Sequence, residues 1–338
     1  MCEYINDIAY YLPKKSLSNA DIESQHPEWS IEKISSKTGI ENRFLSGVDE
    51  FCSDMAVQAA NKLFNQNSPR LKQEIDYLIL CTQNPDYVLP TTACIVQDRL
   101  GLEKSIGAID VNLGCSGFIY SIGLAKGLIS SGQASNVLVI TSDTYSKLIN
   151  PNDKGNKTIF GDAAAATLVS NKEEGLAAKI EKFVYGTDGS GYDNLIVKNG
   201  GSRNRISIGQ DLFEDNVYIK NDSNLFMDGR AVFQFTNAVV PNMVSKTLEK
   251  NNLILSEIDS FIFHQANKFM LEKVRKKIGI PENKFIFNSG SVGNTVSSSI
   301  PIAFKNFIDE VGINTGEKIM LAGFGVGLSY GATIISIN

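Results

Sequence analysis

The sequence predicts an α/β fold, and three observations carry that reading. Apolar runs of strand length alternate with amphipathic stretches of helix length along the chain, the pattern of helices packed on a sheet. The same strand–turn–helix order restarts in the second half without a sharp sequence repeat, which points to an internal duplication. The length of 338 residues lies near the upper limit for one hydrophobic core, so two fused halves are expected, residues 1–172 and 173–338.

The elements follow in order. Glu74 to Cys81 reads as a strand entering a core, and 93–100 as a helix closed by Gly101. Ser105 to Asn112 is a strand, followed by the turn Gly114-Cys-Ser-Gly117. A helix over 117–130 places Phe118, Ile119, Ile122, Leu124 and Leu128 on its apolar side. Val137-Leu-Val-Ile140 and Ala163–Val169 read as buried strands. Residues 185–224 are rich in Gly, Asn, Asp and Ser and read as a linker or a long surface loop. The second half opens with an amphipathic helix over 229–249. It continues with a strand at Ile258–Phe263 and a basic-faced helix over 265–278. Lys318–Ala322 and Ala332–Ile337 close the chain as strands around a glycine turn.

Composition narrows the function. Hydrophobic residues make up 43% and charged residues 20%, with a net charge of −5. That is a soluble globular balance, with no bulk attraction to nucleic acid or anionic membrane. Two histidines exclude a His-rich metal site. The five cysteines are odd in number and widely spaced, so neither a zinc site nor a disulfide framework is indicated. Two uncharged stretches, 285–304 and 319–338, are long enough to span a bilayer. Their internal Ser, Asn, Pro and Gly residues make them buried strands and turns instead. The N-terminus shows no signal peptide, and a cytoplasmic, reduced enzyme is expected.

Three residues could carry chemistry. Cys115 sits between a predicted strand and a predicted helix, where free N–H groups and the helix dipole lower a thiol's pKa and can later serve an acyl oxyanion. Most free cysteines are simply small buried hydrophobes, so its local sequence leaves both readings open. His264 leaves a strand toward a helix start, a place where α/β proteins present active groups. Asn294 lies in Gly293-Asn-Thr295, within an apolar context that suggests a buried loop, and a buried amide needs partners or a ligand. His26 sits in a polar turn-like context. The turn Gly323-Phe-Gly-Val-Gly327 lacks a phosphate-loop lysine and does not read as a nucleotide site.

Taken together, these segments resemble the β-ketoacyl-acyl carrier protein synthase III family of the thiolase fold. The matching stretches are Gly114-Cys-Ser-Gly-Phe118, Phe160-Gly-Asp-Ala163, His264-Gln-Ala-Asn267, Gly293-Asn-Thr295 with Ser299-Ile-Pro301, and Gly323-Phe-Gly-Val-Gly327. Lys37-Thr-Gly-Ile40 with Arg43 joins them, all in the family's order. The resemblance implies a thiolase-like fold of two similar α/β halves in five layers, αβαβα, and a homodimer. It implies a decarboxylating Claisen condensation. An acyl thioester acylates Cys115. His264 and Asn294 hold the malonyl thioester oxygen while CO2 leaves, and the carbanion attacks the acyl-Cys115. The backbone N–H groups of Cys115 and Val326 would form the oxyanion hole. The Cys-His-Asn set separates this class from elongating synthases with two histidines and from thiolases with a second, C-terminal cysteine; it leaves the chalcone-synthase-like relatives, over which the wording of the motifs favours the synthase III family.

The same resemblance implies substrate contacts at Lys37, Leu89, Lys154, Phe160, Gly229, Gln265 and Asn267. Coenzyme A thioester and carrier phosphopantetheine enter as substrates, with no cofactor and no metal. Lys37 and Lys154 stand where the family has arginines, which keeps a charge for phosphate but loses planar stacking. Trp29 lies eight residues before Lys37, where the family spacing is four. A carrier-protein acyl donor therefore competes with coenzyme A. Leu89 replaces a bulkier family Phe, which would admit a longer or substituted primer. An acidic acyl carrier protein is expected to dock on Lys268, Arg275, Lys276 and Lys277, with Lys273 beside them. Two rival readings keep the fold: acyl transfer to a hydroxyl or amine, and a non-catalytic dimer partner.

Overall fold

The structure, a computed structural model, describes residues 2–205 and 208–338. Among the described residues ten strands form the main sheet. In chain order they are β1 (Tyr4–Tyr11), β2 (Tyr77–Cys81), β3 (Gly107–Val111), β4 (Asn136–Asp143) and β5 (Ala163–Ser170). Then come β6 (Ala178–Ile180), β7 (Val184–Thr187), β8 (Ser260–Phe263), β9 (Lys318–Gly325) and β10 (Ser329–Ile337). The longer helices are α1 (Ile31–Thr38), α2 (Cys52–Gln66), α3 (Thr92–Leu100), α4 (Gly117–Ser130), α5 (Gly229–Lys250), α6 (Lys268–Ile278) and α7 (Ser299–Val311).

The strand order is β8-β9-β10-β6-β1-β5-β4-β2-β3, with β7 added to β10. Read outward from the β6–β1 junction, the two sides match. From β1, the steps to β5 and β4 are antiparallel, and those to β2 and β3 parallel. From β6, the steps to β10 and β9 are antiparallel and that to β8 parallel. A parallel bridge from Phe261 to Phe285 then takes the place of β3. The helices repeat in step, with α5, α6 and α7 entering the second half where α2, α3 and α4 enter the first.

Side chains alternate along each strand, and this divides the molecule into layers. Ile79, Val137 and Val139 share one core with Ile262, Ile319 and Leu321, and with Phe118 and Ile122 of α4 and Ile300 and Phe304 of α7. Their alternates Leu78, Leu80, Leu138 and Ile140 face Met55, Ala59 and Leu63 of α2 and Val96 of α3. On the other side Phe261, Phe263 and Met320 face Val240 and Val244 of α5 and Leu271 and Val274 of α6. The order is helices, sheet, helices, sheet, helices, the αβαβα arrangement expected.

Three readings of the sequence need correction. The 185–224 segment is not a plain loop. It contributes β7 to the main sheet, a short ladder from Leu195–Ile196 to Phe226–Met227, and a hairpin of Leu212–Glu214 with Val217–Lys220. Residues 206 and 207 of the 199–224 stretch lie outside the described residues. The uncharged stretch 285–304 ends in the first turns of α7, buried in the central layer. The helix expected from 265 starts at Lys268, because the Asn267 side chain accepts the Met270 N–H and caps it there. Among the described residues no helix is long and apolar enough to cross a membrane.

Candidate active site

The two half-sheets aim their strand ends at one small cavity. Cys115 follows β3 and stands just ahead of α4. The end of β9 passes directly behind it. A Cβ at Gly325 would lie 2.8 Å from both Cβ and Sγ of Cys115, and one at Gly323 would lie 2.8 Å from the Cys115 carbonyl oxygen. Glycine at both places lets the strand back the thiol. Ser116 beside it meets Ser329 through their hydroxyls at 2.7 Å, tying the turn to β10.

The sequence reading expected a lowered thiol pKa. The structure buries Cys115, and burial pushes the thiol up to about 12. A backbone hydrogen bond from Val326 works against this, the nearby Asp143 adds to it, and the Cys115 backbone again opposes it. Desolvation outweighs the helix start at this site. The Cys115 thiol is protonated near neutral pH.

His264 extends the line of β8, its N–H donating to the Ala322 carbonyl at 2.7 Å. Its Nδ1 lies 2.7 Å from the Ser299 hydroxyl, which accepts the Gln265 N–H at 3.3 Å. With the Ser299 hydroxyl donating to Nδ1, the imidazole carries its proton on Nε2. Burial lowers the imidazole pKa to about 3, with a backbone hydrogen bond to Val296 opposing, so the ring is neutral. Asn294 is stitched to the first half. Its N–H donates to Ile159 at 2.9 Å, and its carbonyl accepts the Gly161 N–H at 3.0 Å. Its side-chain Oδ1 accepts the Val296 N–H at 3.0 Å, which leaves Nδ2 to donate elsewhere.

Cys115, His264 and Asn294 line one cavity of about 140 Å3, whose other walls include Phe160, Leu195, Val232 and Phe324. Ile159 and Asn267 line both this cavity and a cleft of about 1020 Å3. The cleft holds Lys33, Lys37 and Lys154. Trp29 also lines it but is buried, with His26 stacked on it at 3.9 Å and the Lys154 ammonium 5.7 Å from its ring centre. The arrangement joins an outer cleft bearing three lysines to a small, mostly apolar chamber with a thiol and two neutral side chains able to donate hydrogen bonds.

The sequence-assigned residues divide accordingly. Phe160, Gly229 and Asn267 line the inner cavity, and Lys37 and Lys154 the outer cleft. Val326 lies against the thiol. Gln265 does not reach the cavity. Its amide donates to Phe263 and Ile286 and accepts from the Asn288 N–H, so its bonding capacity is spent on the fold. Arg275 is withdrawn from the basic surface. It is buried, pairs with Glu272 at 2.8 Å and donates to the Ile280 carbonyl at 3.0 Å. Lys268, Lys273, Lys276 and Lys277 stay exposed on α6. Leu89 is 79% exposed and away from the cavity of its own chain.

Sequence reasoning missed Asp143. This fully buried carboxylate at the end of β4 accepts the N–H of Gln83 and of Ser297, with the Ser297 hydroxyl as a third donor. A charge ending an apolar strand run was the available signal. It missed Thr236 too, whose only sequence trace is helical spacing from Val232. Among the described residues no group of His, Cys, Asp and Glu could hold a metal ion.

The fold and the site define a thiolase-like enzyme with a cysteine between its two halves. Residues 109–189 match the family model for 3-oxoacyl-[acyl-carrier-protein (ACP)] synthase III, and residues 248–337 match the C-terminal model of the same family. A Clostridium perfringens protein named beta-ketoacyl-[acyl-carrier-protein] synthase III is 39% identical over 97% of each chain. A crystal structure of a 3-oxoacyl-(acyl-carrier-protein) synthase III superposes with a TM-score of 0.95 at 42% identity, covering all of both chains. The corresponding enzyme of Thermus thermophilus superposes with a TM-score of 0.86 at 32% identity over 99% of each chain. The chain belongs to the 3-oxoacyl-[acyl-carrier-protein] synthase III family.

Proposed function

We propose that this chain starts acyl chains by condensing an acyl thioester primer with malonyl-acyl carrier protein, releasing CO2 and a 3-oxoacyl carrier. The observation that carries the reading is the convergence of Cys115, His264 and Asn294 on one buried cavity beside a lysine-lined cleft. The thioester arm enters through the cleft, its phosphates held by Lys37 and Lys154. Cys115 gives up its proton as it attacks the thioester carbon, and the thiol of the donor leaves. The N–H groups of Cys115 and Val326 receive the oxyanion. A malonyl thioester then takes the arm's place. Loss of CO2 puts charge on its thioester oxygen, where the neutral His264 and the Nδ2 of Asn294 donate. An apolar chamber disfavours the malonyl carboxylate more than the delocalised enolate, and so favours its loss. The carbanion attacks acyl-Cys115, a carbon–carbon bond forms, and the Cys115 thiolate leaves and takes up a proton from solvent. The cycle draws on no cofactor or metal.

The acyl donor is a coenzyme A thioester, a carrier-protein donor being the alternative, and the enzyme works in the cytoplasm, in keeping with its five free cysteines. It works as a homodimer. β3 ends the sheet, and the nearby tip Tyr87-Val-Leu89 holds three large apolar side chains in solvent. A second copy would cover both and bring Leu89 toward its partner's acyl chamber. The carrier docks on the exposed lysines of α6, Lys268, Lys276 and Lys277, next to the mouth at Asn267.

Intact-mass analysis after incubation with acyl-CoAs and acyl carriers tests the reading. Wild type should gain one acyl group that Cys115→Ser does not, and malonyl carrier should discharge it with CO2 release. Discharge only to an alcohol or amine would replace condensation by simple acyl transfer. No adduct from any donor would leave a non-catalytic partner.

A further inference from the structure

The wall of α5 carries a polar group that the protein leaves unused. Gly229, Val232 and Thr236 recur at helical spacing and line the cavity that holds Cys115, His264 and Asn294. Thr236 is fully buried, and its hydroxyl has no hydrogen-bond partner. A helical threonine ordinarily satisfies itself on the carbonyl one turn back, as Thr247 does on Met243 at 2.7 Å in the same helix. Thr236 does not. A buried hydroxyl left without a partner is costly, and a ligand's hydrogen bond at this position would recover that cost.

The other walls say what that ligand offers. Leu195, Met227, Val232, Met270 and Phe324 are apolar. The remaining polar side chains are His264, Asn294 and Asn267, and Asn267 spends its oxygen on the cap of α6. A thioester arm that runs from the cationic cleft to Cys115 carries amide groups as its polar features between phosphate and sulfur. In this chamber such an amide must be matched or it too is desolvated without return.

We propose that the Thr236 hydroxyl binds the amide of the pantetheine arm nearest the sulfur, and so positions the thioester against Cys115. This rests on the condensing reading above. Thr236 is a positioning residue, and its contribution depends on the amide and not on the acyl group.

The test compares two acyl donors with the same acyl group, an N-acetylcysteamine thioester that carries the amide and an S-ethyl thioester that lacks it. The reaction read is acylation of Cys115 by intact mass. Thr236→Val keeps the shape and deletes the hydroxyl, and Thr236→Ser keeps the hydroxyl. For the amide-bearing donor, Thr236→Val should lower the acylation efficiency by about 3- to 10-fold, the worth of one neutral hydrogen bond. Thr236→Ser should restore most of it. With the S-ethyl donor the Val variant should equal wild type. Equal loss on both donors would mean that Thr236 only shapes the wall, and no loss on either would mean the hydroxyl meets no ligand; each overturns the proposal. Failure of wild type to be acylated by any donor would instead sink the condensing reading itself.

Discussion

The two halves repeat one topology and use it differently. In each, a strand beside the sheet end is followed by a short crossover, and a later helix of the central layer begins beside the same point. Thr82 follows β2 where His264 follows β8, and Cys115 precedes α4 by two residues where Ser297 precedes α7 by two. The first half turns its strand-end residue inward. Thr82 accepts the Asn84 N–H at 3.0 Å and meets the Cys52 thiol at 3.3 Å. Its helix-start residue, Cys115, lines the cavity. In the second half the helix-start Ser297 is spent on Asp143, and the strand-end His264 is the one that lines the cavity. Duplication supplies two pairs of equivalent positions. The cavity takes one position from each pair, so residue identity, not topology, breaks the symmetry.

The comparison is broken most sharply by separating the two half-reactions. Cys115→Ala should abolish the acyl adduct and lower condensation by more than about 10³-fold, while malonyl carrier still loses CO2. Asn294→Ala should do the converse, forming the adduct but condensing about 10²–10³-fold more slowly, the usual worth of one oxyanion donor. Mass spectrometry reads the first half-reaction and labelled CO2 the second. Coincident loss of both in each variant would refute a division of labour between the halves.

Gly325→Ala tests the contact between them. The added Cβ would stand 2.8 Å from the Cys115 sulfur, closer than real neighbours allow. The Cys115 thiol must shift, and a displacement of about 1 Å costs about 10²-fold in rate. Acylation should fall by that much while the thermal midpoint drops only modestly.

Arg43 tests the scaffold. It is fully buried and donates to the carbonyls of Leu17 and Thr158 and to the Asn19 side chain, with no ion-pair partner among the described residues. Burial lowers its pKa to about 10. Its Cβ also fills the space beside Gly161 and Gly293, which frame Asn294. Arg43→Met should cost about 2–4 kcal/mol in denaturant unfolding through the acceptors it strands.

These residues show what the sequence could and could not disclose. The αβαβα order was legible because each core strand alternates between two buried faces and the helices keep their period. That Cys115, His264 and Asn294 would meet at one cavity was foreshadowed by their places at a helix start, a strand end and a glycine turn. Gln265 and Arg275 misled for one reason: their polarity is spent on the fold, and a sequence does not show which acceptors fold back on a side chain. The raised thiol of Cys115 was hidden likewise, since its desolvation comes from β9, more than two hundred residues away in the chain. Thr236 was hidden because its significance lies in a partner it lacks.

The smallest expected effect lies in the pH dependence of stability, where the halves act in opposite senses. His264 in the second half has a folded pKa of about 3 against an ordinary 6.5. Between those values the unfolded chain binds a proton that the native chain refuses, so stability is lost as pH falls below 6.5. By pH 5 the loss is about 2 kcal/mol. Asp143 in the first half is raised from 3.8 to about 7 by burial, against hydrogen bonds from Gln83 and Ser297. There the native chain holds the proton that the unfolded chain releases, so stability is lost as pH rises from 3.8 toward 7 and then levels. The two slopes partly cancel between pH 5 and 6.5, leaving wild type flatter there than either variant. Urea unfolding from pH 5 to 8 checks this. His264→Asn should unmask a fall in stability with rising pH, and Asp143→Asn a rise. His26 contributes equally to all three proteins and drops out of the differences. Parallel curves for wild type and His264→Asn would show that His264 takes up a proton in the folded chain, and the neutral donor assigned to it would be lost.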